Sequence, residues 1–185
     1  MIFIQDCNIT YQYSITMTEY VAKSDGSLIF QLVKDSQNIG SLTYKSWFKF
    51  NAAIDFADGR SYQVEPKGFW GTIVEVKDGN RALLKFSMNW SGDIVVQSYF
   101  NNVEQGYVFR HRGILKESFI LIDKDGVELL VLKPLLKWNK MNFEYRITSS
   151  DVFETVVENK LLLMLSIHWT NYYMSMTMAA ITPGS

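Results

Sequence analysis

A closed antiparallel meander β-barrel of about 12 strands around a hydrophobic C-terminal helix is the fold class this sequence predicts, in one domain over residues 1–185. Three observations carry it. Asp-Gly dipeptides recur at Asp25-Gly26, Asp58-Gly59, Asp78-Gly79 and Asp125-Gly126, and this pair is favoured in tight hairpins because the turn needs positive φ. The runs between such marks have strand length and are rich in β-branched and aromatic residues. After Lys160 the chain changes character and carries no Asp, Glu, Lys or Arg.

In order, strands are expected over about residues 10–147. The clearest are Ser27–Val33, Ser61–Glu65, Gly71–Val76, Ala82–Met88, Asp93–Tyr99, Phe119–Ile122, Val127–Leu132 and Phe143–Ile147. Asn38-Ile39-Gly40, Ser91-Gly92 and Gln105-Gly106 read as further turns or bulges, and Lys133 to Asn142 as a loop with room for a helical turn. A meander of this kind must close to hide its edges. A helix follows over about 151–180, opened by Asp151 and Glu154 in capping-box spacing. Leu161 to Leu165 are consecutive apolar residues and point all round the axis, which requires burial on every side. A membrane tail anchor over 161–181 is the competing reading, since the run is long enough to cross a bilayer. Ser166, His168, Thr170, Asn171, Ser175 and Thr177 interrupt it, and polar groups are costly in lipid, so burial in protein is the expectation.

The segment Phe119-Ile120-Leu121-Ile122-Asp123-Lys124-Asp125-Gly126-Val127-Glu128-Leu129-Leu130-Val131, followed by the apolar helix from Asp151, resembles the tubby-like superfamily, which includes the phospholipid scramblases. The resemblance lies in the arrangement of elements over most of the chain. It implies a barrel closed around a central C-terminal helix, and a basic pocket for phosphoinositides of the kind known in the tubby family, without a residue-by-residue motif on which to place it.

Composition removes other classes. A formal net charge of −1 supplies no pull toward nucleic acid. The single cysteine, Cys7, allows no internal disulfide and suits a reducing compartment. The first residues show no basic region ahead of a long apolar run, so a cytoplasmic protein, free or peripheral to a membrane, is expected. Nothing in the chain sets an oligomeric state.

No catalytic residue, cofactor or metal is expected. The histidines are His111 and His168, without HxxxH, CxxC or G-x-S-x-G company. Asp123, Asp125 and Glu128 depart from the EF-hand spacing and read as a solvated turn. Two sets of residues remain as candidates. Arg110, Arg112, Lys116, Lys133, Lys137, Trp138 and Lys140 form two basic segments with an interfacial tryptophan, suited to phospholipid headgroups or another anion. His168, Asn171 and Ser175 share one side of the helix, either lining a cavity or forming a buried polar stripe. Trp47, Trp70 and Trp90, with their phenylalanine neighbours, read as barrel core. The expected function is therefore a non-catalytic binding module for phospholipid headgroups or another anionic ligand, or alternatively a protein-interaction scaffold with no small-molecule ligand.

Overall fold

Strict alternation bends this chain into a closed surface. In the stretch Ile94–Ser98, Ile94, Val96 and Ser98 are buried while Val95 and Gln97 face water, so one face must find a core. The computed structural model describes residues 17–26, 28–46, 50–67, 73–113, 118–136 and 143–181, with the side chains of 136 and 176–181 outside that description. The elements are β1 (Met17–Asp25), β2 (Ile29–Lys34), β3 (Gln37–Tyr44), β4 (Ala52–Phe56), β5 (Ser61–Lys67) and β6 (Ile73–Asp78). Then come β7 (Arg81–Met88), β8 (Ile94–Ser98), β9 (Gln105–Arg112), β10 (Ser118–Asp123), β11 (Glu128–Leu136), β12 (Phe143–Ser150), α1 (Asp151–Glu154) and α2 (Asn159–Ile181).

Each strand pairs antiparallel with its sequence neighbours, and β1 pairs with β12 from Met17↔Ser150 to Lys23↔Glu144, closing the barrel. Closure leaves the sheet without an edge. Helix α2 fills the interior. Leu161 through Asn171 have essentially no exposed surface, and a buried leucine contributes about 1.5–3 kcal/mol through the water it sheds. Among the described residues no helix is long and apolar enough to cross a membrane, so the tail-anchor alternative gives way to a helix enclosed by strands.

Three expected boundaries shift. The β2–β3 turn is Asp35-Ser36, with φ of 49° and 64°, as a two-residue turn between twisted strands requires. Gly40 lies inside β3 instead, where a Cβ would sit 2.6 Å from the Asp55 carbonyl oxygen. Gln105-Gly106, expected as a turn or bulge, opens β9 in regular register with β8, and β11 continues to Leu136 through the stretch expected to be a loop, with Pro134 opposite Tyr145.

The helix is also interrupted. Ser150, not Asp151, caps α1, its hydroxyl accepting from Phe153 N–H at 3.3 Å. Glu154 is spent on Tyr20 and Ser149, whose hydroxyls donate to it. Glu158 has φ of 60°, and its carboxylate accepts from Arg60 at 2.8 Å and Tyr62 at 3.3 Å. Those tethers hold the chain in a turn before it enters the barrel at Asn159. The end where it enters, with the β2–β3, β4–β5, β6–β7, β8–β9 and β10–β11 connections, is the proximal end. The opposite end, with the remaining connections, is the distal end.

Candidate functional site

The polar stripe on α2 faces rings rather than an open space. Asn171 is bonded at both ends of its amide: Tyr145 donates its hydroxyl to Oδ1 at 2.5 Å, and Nδ2 donates to the Tyr44 hydroxyl at 3.1 Å. Burial pushes both phenols above their ordinary range. Ser166 and Thr170 are satisfied by carbonyls of their own helix, at 2.7 and 2.8 Å. His168 stacks on Tyr44 at 5.5 Å and meets Phe86 and Phe50 edge-on at 5.7 and 6.3 Å. Among the described residues, neither of its ring nitrogens has a hydrogen-bond partner, and neither does Trp169 Nε1. Burial disfavours the imidazolium, and the His168 pKa falls to about 3. Ser175 is half-buried further along. His111, on β9, stacks on Tyr173 at 5.5 Å and meets Phe119 at 5.2 Å.

Of the basic set, Arg110, Arg112 and Lys133 are described and all face outward. Lys116, Lys137, Trp138 and Lys140 lie outside the described residues. Arg110 pairs with Asp93 at 2.9 Å. Arg112 and Glu128 meet at 2.6 Å across β10, the strand whose Ile120 is buried although it lies outside the core cluster. Lys133 is exposed, and among the described residues no carboxylate lies within ion-pair distance of it. A groove of about 220 Å³ runs between Arg112, Lys133, Thr148 and Met17. Two of the three described cations are thus already neutralised.

One residue expected in the core is not there. Trp90 is fully exposed, at the tip of the β7–β8 turn on the distal end. The turn beneath it is rigid: Asn89 Oδ1 accepts from Ser91 and Asp93 N–H, both at 2.9 Å, and Asn89 N–H donates to the Asp93 carbonyl at 2.8 Å. Below it on the outer face, Ile73, Ser87 and Val95 stand in register across three strands, with both apolar members exposed. The signal available in the sequence was Asn89-Trp90-Ser91-Gly92 itself, four residues that read better as a turn than as a strand end. Trp47 and Trp70 lie outside the described residues. Phe86 and Phe100 are core, as expected.

Strand parity sorts the charges. Distal connections leave from Asp25, Tyr44, Lys67, Met88, Arg112 and Leu136. Among the described residues these connections hold Lys45 and Asp93; Lys49, Lys116, Glu117, Lys137 and Lys140 belong to the same connecting segments in sequence and lie outside the described residues. Proximal connections hold Asp35, Asp58, Glu104 and Asp125 against Arg60 and Lys124, followed by Asp151, Glu154 and Glu158 ahead of Lys160. At this end Arg60 lies between Asp58 at 2.9 Å and Glu158 at 2.8 Å, and the guanidinium holds the Asp58 carboxyl below its usual range. A second groove, of about 450 Å³, opens here between the β8–β9 connection, the β10–β11 turn and α1. Comparison with protein-family models, curated proteins and solved structures found no match for this chain.

Proposed function

We propose that this protein is a non-catalytic module that docks peripherally on an anionic phospholipid surface through its distal end. The observation that carries the reading is Trp90, a wholly exposed indole on a braced turn. A large amphipathic ring held out in water is costly unless it has an interface to meet, and tryptophan suits the headgroup layer of a bilayer. Exposed Ile73 and Val95 extend the apolar surface below it. Lys45 and Lys133, without carboxylate partners among the described residues, supply charge toward the same end, each worth about 1 kcal/mol near an anionic surface. The helix-filled interior supports engagement through the exterior, and kinship with the tubby-like superfamily, in which an enclosed C-terminal helix is the rule, is part of the same proposal. The test is flotation with phosphatidylcholine vesicles, with and without phosphatidylserine. Wild type should float only with the anionic lipid, and Trp90→Ser and Lys133→Glu should each float several-fold less with unchanged melting curves. Equal flotation on both vesicles, or a Trp90→Ser variant that floats like wild type, would overturn the proposal.

A further inference from the structure

The proximal groove combines exposed apolar side chains with an acidic rim. Its apolar side chains come from separate segments: Val103 from the β8–β9 connection, Val152 from α1 and Val157 from the turn before α2. All three stay in solvent, at 55%, 54% and 47% exposure. Isolated exposed valines need no explanation, but three converging on one concavity form a surface that water covers at a cost. Glu104 and Asp125 line the same groove, and neither carboxylate has an ion-pair partner among the described residues. Lys124 is the one cation among the lining residues.

We infer that this groove docks a short basic segment of a partner protein, with aliphatic side chains seated between the valines and Lys or Arg side chains meeting Glu104 and Asp125. Charge complementarity selects that occupant. An acidic rim repels anionic lipid, so the groove is not a second membrane contact. Closure of the barrel leaves no free strand edge for the partner to extend, so recognition must run through side chains. A volume of about 450 Å³ is within the range that receives a few side chains. Buried aliphatic anchors would supply most of the affinity, and the charges would supply orientation and association rate. This inference is independent of vesicle docking, because no groove residue lies at the distal end.

The experiment uses fluorescence anisotropy with three labelled peptides of equal length: one alternating Lys and Leu pairs, one with Glu for every Lys, and one with Ser for every Leu. The Lys/Leu peptide should bind the full chain, and the other two should bind at least about tenfold more weakly. Val152→Ser with Val157→Ser, and separately Glu104→Lys with Asp125→Lys, should each weaken it at least about tenfold, with unchanged melting curves and unchanged vesicle flotation. These positions are exposed, so the variants should fold. Absence of binding, equal binding of the Glu/Leu peptide, or affinity untouched by both double variants would overturn the inference. So would sedimentation showing that wild type self-associates at micromolar concentration while the Val152→Ser/Val157→Ser variant is monomeric, since the groove would then belong to a second copy of this chain.

Discussion

His168 and Asn171 sit one turn apart on the same face of α2, and the barrel treats them differently. Asn171 finds two tyrosine hydroxyls, from residues 26 and 127 positions away. His168 finds three aromatic rings, which accept an N–H weakly at best. The sequence showed the polar stripe, but a partner's arrival depends on strand register at Tyr44 and Tyr145, which local pattern does not encode. The cost shows in pH dependence. In the unfolded chain the imidazole takes its proton near 6.5, whereas in the folded core it does so near 3. Between those values the unfolded state binds more protons, so stability is complete above about pH 6.5 and declines as pH falls toward 3. On this basis His168 alone should remove about 2–3 kcal/mol between pH 7.5 and 4.5. Urea unfolding at both pH values should show wild type losing more stability than His168→Phe by that amount. Equal losses in the two proteins would rule the account out.

At the scale of elements, α2 acts as the template for the sheet. Leu165 is fully buried within it. Leu165→Ala should cost about 2–5 kcal/mol by leaving a cavity, and Leu165→Asp should abolish cooperative thermal unfolding because an unpaired charge cannot be solvated there. Circular dichroism melts of the two variants decide the matter, and a folded, cooperatively melting Leu165→Asp would refute a central helix. The helix and the meander were both legible, because all-round apolarity and Asp-Gly turns are local signals. The break at 155–158 was not. It is imposed by Arg60, Tyr62 and Tyr20, side chains remote in sequence that hold Glu158 and Glu154. Similarly, Gly40 looked like a turn residue and is instead a strand residue against which a neighbouring carbonyl closes, while Asp35-Ser36 turns without glycine.

For the whole molecule, the formal net charge of −1 hides an excess of carboxylates at the proximal end, where Asp35, Asp58, Glu104, Asp125, Asp151, Glu154 and Glu158 outnumber Arg60, Lys124 and Lys160. Assigning a charge to an end requires knowing how many strands precede it, since one missed strand exchanges proximal for distal. Nothing local in the sequence counts the strands, so Arg110 and Arg112 look equivalent to the lysines that follow them, although each already has a carboxylate. Exposed charges act over a Debye length that shrinks from about 10 Å at 0.1 M salt to about 3 Å at 1 M. Flotation on phosphatidylserine vesicles should therefore fall several-fold over that range, and the remaining fraction should depend on Trp90. Salt-insensitive flotation would deny Lys45 and Lys133 a role. The order of elements has a further consequence for biosynthesis. All twelve strands precede the helix that fills them, so the ribosome completes the wall of the barrel before it has made the core. Until residues 159–181 emerge, the inward faces of the strands have nothing to close on, and the nascent chain must be kept from collapsing or aggregating. Whatever attends this protein in its first seconds, chaperone or crowding, meets a hollow sheet rather than a folded domain.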